Sequence, residues 1–164
     1  MMQVLVVSDT HIPERAAKIP DQFWKAVMPD SVILHAGDFT DLAVLKELQK
    51  KAKQVYAVWG NMDGAEVRAA LPEKQMVDLE DYRIGIYHGS GPPLGLEEKV
   101  YRKFPEGLDA IVFGHSHSPY NQKIKNTLMF NPGSIGWNQN GPPTYGILHL
   151  EKEGVWGEIV EVKT

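Results

Sequence analysis

Residues 3–11, Gln3-Val4-Leu5-Val6-Val7-Ser8-Asp9-Thr10-His11, pass from four consecutive apolar positions straight into polar ones. An unbroken apolar run rich in β-branched residues predicts a strand covered on both faces. Asp9 and His11 leave at its C-terminal end, two residues apart, so an extended backbone points both the same way. The arrangement recurs twice. Ser31–Ala36 is a second apolar run, ending in Gly37-Asp38, and Gln54–Val58 is a third, leading to Gly60-Asn61-Met62-Asp63. Helical patterns lie between them. Ile19–Met28 carries Phe23, Ala26 and Val27 on one side and stops at Pro29. Thr40 stands as a cap before Leu42, Leu45 and Leu48 and the basic end Lys50-Lys51. Strand and helix in alternation predict a parallel sheet with right-handed crossovers.

The second half changes character. Gln75–Leu79 and Tyr82–His88 read as strands joined by a two-residue hairpin, Glu80-Asp81. Leu96–Phe104 reads as a helix and Asp109–Phe113 as a strand. Asn121–Lys125, Leu128–Asn131, Thr144–Leu150 and Val155–Val162 follow in hairpin style. Parallel first and antiparallel later, with few helices, this order predicts two sheets packed face to face with helices outside. No polar linker divides the 164 residues, so one domain over 1–164 is expected.

Composition narrows the function. The chain has 17 basic and 21 acidic side chains, a net charge of −4, which speaks against a stable nucleic-acid complex. It has no cysteine, which excludes disulfides and thiolate chemistry and fits a cytoplasmic protein. No apolar run approaches the ~18 residues of a membrane span. The Val4–Val7 run breaks at Ser8-Asp9, so it is not read as a signal peptide.

The informative feature is where histidine, aspartate and asparagine fall. Asp9 and His11, Asp38, Asn61 and Asp63, and His115 and His117 (in Gly114-His115-Ser116-His117) each follow an expected strand, and His88 (before Gly89) ends one. In open α/β sheets ligands bind at that edge. Four imidazoles, two carboxylates and an amide are too many for one four-coordinate zinc. They suit two divalent ions sharing a bridging carboxylate.

Asp9-x-His11, Gly37-Asp38, Gly60-Asn61-x-Asp63, His88-Gly89 and Gly114-His115-x-His117 together resemble the motif series of the calcineurin-like metallophosphoesterases. Chain length and spacing resemble their small prokaryotic phosphodiesterase branch, as does Asn131-Pro132-Gly133-Ser134. The resemblance implies a four-layer α-β-β-α sandwich, mixed α/β in class, with a dinuclear metal site at the C-terminal edge of the strands. It implies that Asp9, His11 and His117 hold one ion, that Asn61, His88 and His115 hold the other, and that Asp38 bridges them. Asp63 is then expected to orient a ligand histidine. Asp38, Asn61, His115 and Asp63 form the expected catalytic set. The implied ions are two divalent metals, Mn²⁺ first, with Fe, Ni²⁺ or Zn²⁺ as alternatives. Two such ions, two carboxylates and a bridging hydroxide sum to about +1, a receptor for a phosphoester anion. The implied reaction is phosphodiester hydrolysis by in-line attack of that hydroxide.

Met62 departs from the wider family, where many members carry a histidine that is thought to protonate the leaving oxygen. Methionine cannot donate a proton, which favours small diesters with good leaving groups over alkyl monoesters. His35 and Arg68 are expected to be structural, Arg68 through an ion pair, and Trp59 is expected in the core. Ser90–Gly95 and Gly136–Pro143 are Pro-bounded loops that would shape substrate choice if they lie near the ions. Two other readings remain open: a phosphomonoesterase, and a protein-binding scaffold that keeps the fold without catalysis, as the retromer subunit of this fold does. The late antiparallel strands leave an edge that a second copy of the chain could cover.

Overall fold

The structure is a computed structural model that describes residues 1–12, 18–136, 138 and 141–163. Alternation of strand and helix holds through the first third: β1 (Met2–Val7), α1 (Asp21–Ala26), β2 (Val32–His35), α2 (Leu42–Lys51) and β3 (Gln54–Ala57). α3 (Ala65–Ala70), β4 (Lys74–Leu79), β5 (Tyr82–Tyr87), α4 (Leu96–Tyr101) and β6 (Ala110–Val112) follow. The chain then runs through β7 (Tyr120–Ile124), β8 (Thr127–Asn131), β9 (Thr144–Glu151) and β10 (Gly154–Glu161).

The strands form two five-stranded mixed sheets, in the orders β10-β9-β1-β2-β3 and β4-β5-β6-β8-β7. β1, β2 and β3 pair in parallel, as expected of strands joined by crossover helices. Strand alternation splits the apolar residues into layers. Val4, Val6, Leu34, Ile84, Ile86, Val112, Phe130 and Leu148 fill the space between the sheets. Leu5, Val7 and Ile33 face the other way, onto Phe23 of α1, Leu45 and Leu48 of α2 and Val67 of α3. Ile111 and Met129 face Leu96 and Val100 of α4. The result is helix, sheet, sheet, helix.

Phe130 shows how closely the sheets approach. A Cβ on Gly146 would lie 2.3 Å from its ring, and one on Gly157 2.5 Å. Glycine at those two positions of β9 and β10 lets the fully buried ring lie against bare backbone.

Some expectations need correction. The second half is not antiparallel throughout: β5 pairs in parallel with β6, and β6 with β8. The β7–β8 hairpin puts β7 at the sheet edge and inserts β8 beside β6. The cap of α2 is Asp41, whose carboxylate accepts the Ala43 N–H at 2.8 Å, and not Thr40. The helix expected over Ile19–Met28 is confined to Asp21–Ala26, and the one over Leu96–Phe104 ends at Tyr101. The edge of β10 is partly sealed, because Asn121 donates to the Gly157 carbonyl and Gln22 to that of Glu161.

Candidate metal centre

Asp9 and His11 follow β1, Asp38 follows β2, Asn61 follows β3, His88 follows β5, and His115 and His117 follow β6. Each sits in a sharp turn rather than on the strand. Asp9 (φ 56°), His11 (47°), Asp38 (63°), His115 (73°) and His117 (59°) all have left-handed backbone, as does Thr40 (65°). Such a conformation costs roughly 1–2 kcal/mol per non-glycine residue. It persists where the surroundings fix it, commonly at functional sites. Here the first two turns are laced together: the Asp9 N–H donates to the Gly37 carbonyl at 2.9 Å and the His11 N–H to that of Asp38 at 3.1 Å.

The side chains converge. His117 Nε2 lies 3.2 Å from Asp9 Oδ1 and 3.3 Å from His11 Nε2. His11 Nε2 is 3.5 Å from Asp38 Oδ2, and His88 Nε2 is 3.2 Å from the same oxygen. Asn61 Oδ1 lies 2.9 Å from His88 Nε2 and 3.1 Å from His115 Nδ1. All seven expected ligands therefore meet in one cluster. Two triads, Asp9–His11–His117 and Asp9–Asp38–His88, have donor atoms close enough to share an ion.

Ring orientations follow from the outer neighbours. His88 Nδ1 lies 2.7 Å from the Ala36 carbonyl and donates to it, so the lone pair of the neutral ring is on Nε2. His115 Nε2 donates to the Gly91 carbonyl at 2.8 Å, which turns the Nδ1 lone pair onto Asn61 Oδ1. While both rings are neutral, acceptors face acceptors. Asp9 Oδ1 and His11 Nδ1 are buried without a hydrogen-bond partner. Buried polar atoms are nearly always satisfied. A cluster of unsatisfied lone pairs around two carboxylates fits a cation at its centre.

Residues 2–153 match the family model of the calcineurin-like phosphoesterase superfamily domain. The chain belongs to this superfamily. It is 34% identical to a probable metallophosphoesterase of Methanothermobacter thermautotrophicus, over 97% of this chain and 92% of that one. It is 26% identical to a phosphodiesterase of Methanocaldococcus jannaschii, over 93% and 95%. The fold also matches the zinc complex of Vps29 from Entamoeba histolytica, at TM-score 0.73, 23% identity and 98% and 99% coverage.

The phosphoesterase cluster carries its own electrostatics. Burial pushes the His88 pKa down, but the Asp9 charge and the hydrogen bond and charge of Asp38 outweigh it and hold it at about 9. Burial alone would raise the Asp9 pKa. The nearby His88 charge and the His11 and His117 imidazoles that lie against Asp9 Oδ1 instead hold it well below the usual carboxylate range. When no ion is bound, a proton on His88 Nε2 balances part of the carboxylate charge.

Glycine makes room for the two buried carboxylates. A Cβ on Gly60 would lie 2.2 Å from Asp38 Oδ1, and one on Gly114 2.6 Å from Asp9 Oδ2. Ser8 and Ser134 support Asp9: Ser8 Oγ donates to its Oδ2 at 2.6 Å, and Ser134 Oγ to its carbonyl at 2.7 Å. Asn131 Nδ2 donates to the Gly114 carbonyl at 3.0 Å and steadies the turn before His115. Ser8 offered no signal in the sequence, whereas Asn131 and Ser134 belong to the Asn131–Ser134 motif.

Asp63 plays a different part from the one expected. Its carboxylate accepts the backbone N–H groups of Thr40 (2.7 Å), Gly60 (2.8 Å) and Asp38 (2.9 Å), so it clasps two turns and orients no histidine. Burial raises its pKa above the ordinary value. Arg68 is structural, but not through an ion pair. It donates to the carbonyls of Asp63 (2.8 Å) and Asn61 (3.3 Å), with its guanidinium 4.2 Å over the ring of half-buried Trp59. Loop 90–95 reaches the site through the Gly91 carbonyl. Of Gly136–Pro143, residues 137, 139 and 140 lie outside the described residues. His149 pairs with Glu158 at 2.9 Å and stacks on Trp156.

Proposed function

We propose that this chain is a metal-dependent phosphodiesterase. The observation that carries the reading is the position of Asp38 Oδ2, within 3.5 Å of an imidazole nitrogen from each half of the cluster. Asp38 would bridge two divalent ions, with Asp9, His11 and His117 on one side and Asn61, His88 and His115 on the other. Bound there, the ions would supply an activated water and neutralise charge on the phosphoryl oxygens. The donors are imidazole, carboxylate and amide without thiolate, which suits Mn²⁺, Fe, Ni²⁺ or Zn²⁺.

The chain's own groups point towards diesters. Met62 sits at the site, its N–H donating to Asp38 Oδ1 at 2.8 Å, and its side chain is half exposed with no proton to give. Buried His35 is no substitute, because its pKa is pushed down to about 3 by burial and its ring stacks on Phe39. A leaving group that departs as a stable anion suits such a site. The likeness to a protein named a phosphodiesterase supports the same reading.

The test is hydrolysis of bis(p-nitrophenyl) phosphate and of p-nitrophenyl phosphate with each metal in turn. The expected outcome is diester turnover that requires metal and is lost in Asp38→Ala. Two ions bound with no turnover of any ester under any metal would favour the scaffold reading, which the Vps29 fold likeness keeps in view.

A further inference from the structure

His35 and Thr10 are both fully buried, and neither belongs to the ligand set. They nevertheless join the two turns that carry the shared carboxylates. Thr10 stands between Asp9 and His11, and Gly37 and Phe39 flank Asp38. The Gly37 N–H donates to His35 Nδ1 at 3.0 Å, so the neutral ring carries its proton on Nε2. That nitrogen faces Thr10 Oγ1 at 3.4 Å. The hydroxyl has its own proton to give, and the carbonyls of Asp38 and Phe39 lie 3.3 and 3.4 Å away. Donors and acceptors alternate along the whole path, from Gly37 N–H through the ring and the hydroxyl to the carbonyl beyond Asp38. Phe39 stacks on the ring at 3.6 Å and holds its plane.

We infer that His35 and Thr10 are positioning residues that set the spacing between the Asp9–His11 turn and the Asp38 turn, and thereby the affinity of the shared site for its second ion. The inference rests on the dinuclear reading. The backbone bonds between the turns fix their register. The ring and the hydroxyl fix how far the left-handed turns at Asp9 and Asp38 can rotate apart.

Two variants separate this role from simple support of the core. Thr10→Val keeps the shape and removes the hydroxyl. His35→Asn keeps an acceptor near the Gly37 N–H and removes the donor to Thr10. Mn²⁺ titration by calorimetry, with the electron paramagnetic resonance signature of coupled Mn²⁺ pairs, reads the spacing directly. Thermal unfolding in chelator reads the fold. The expected result is two ions in wild type, and in both variants a second ion weakened by about 10–100-fold with altered coupling. If His35→Asn fails to fold, Thr10→Val carries the test. Wild-type titration and coupling in the folded variants, with only the chelated protein destabilised, would overturn the inference. A wild type that saturates below two ions would overturn the dinuclear reading, and this inference with it.

Discussion

His88 Nε2 lies 3.2 Å from Asp38 Oδ2, deep enough that the two groups share a proton or an ion but not solvent. The consequence is a pH dependence that metal should erase. An unfolded histidine titrates near 6.5, whereas folded His88 titrates at about 9. Between those values the folded chain holds the extra proton, so the stability of chelated protein falls as pH rises, by at most ~1.4 kcal/mol per unit. His35 has the opposite sign. Its folded pKa of about 3 means that below pH 6.5 the unfolded chain holds the extra proton, so stability falls as pH drops. Urea unfolding in chelator should show a maximum near pH 6.5. Excess Mn²⁺ should flatten the alkaline arm, because an ion displaces the His88 proton. An alkaline arm of equal slope with and without Mn²⁺ would contradict the assignment.

Gly60→Ala should abolish tight metal binding, because the new Cβ would meet Asp38 Oδ1 at 2.2 Å and the Asp38 backbone nitrogen at 2.6 Å. The backbone cannot yield without moving the Asp38 carboxylate. Gly64→Ala is the control, since a Cβ there has nothing within 4 Å. Mn²⁺ isotherms of the two variants should differ by at least ~100-fold, the upper range for disturbed support around a ligand. Equal isotherms would mean that Asp38 is not a ligand.

Asp38→Ala and Asp63→Ala should fail in different ways. Removing Asp38 removes a donor shared by both halves of the cluster, and hydrolysis should fall below detection while the apo fold survives. Removing Asp63 strips the acceptor from three backbone N–H groups. An orphaned buried donor costs ~1–3 kcal/mol, so Asp63→Ala should lose several kcal/mol of stability and activity together. Denaturant midpoints beside kcat/KM values distinguish the two. An Asp63→Ala protein as stable as wild type would remove the clasp from the account.

The clustered side chains were legible because each of these residue types lies at the end of an apolar run, and apolar runs of this kind fold as strands. The backbone beneath them was not. Asp and His enter positive φ more readily than most residues, but residue type alone does not place Asp9, Asp38 or His115 there; the turns laced across the sheet edge do. Asp63 was misassigned for a related reason: its partners are backbone N–H groups, which every residue offers and no spacing reveals. α3 escaped notice because its six residues bury Val67 alone, too little for a periodic signal. The direction of β8 was equally hidden. Its five residues are buried throughout, and such a run reads the same whether its neighbour is parallel or antiparallel.

Met62→His should improve hydrolysis of an alkyl phosphomonoester selectively and only in part. An aryl alcohol departs as its anion unaided, whereas an alkoxide needs a proton in the transition state. Positioned general acid catalysis is typically worth 10²–10⁴-fold. The Met62 backbone is already fixed at the site by its N–H to Asp38 Oδ1, so a new imidazole would start from the right place. What it would lack is an orienting partner. Asp63, next in the chain, has its carboxylate committed to Thr40, Gly60 and Asp38. Without a partner to fix tautomer and angle, the gain should stay near or below the lower end of that range. The measurement is the ratio of kcat/KM for an aryl diester and an alkyl monoester in each protein, at one Mn²⁺ concentration. Wild type should favour the diester strongly, and the variant should narrow the ratio by raising the monoester value alone. A wild type that already favours the monoester would show that another group donates the proton. With His35 held neutral in the core, that group would then be sought among the exposed positions around the 90–95 loop.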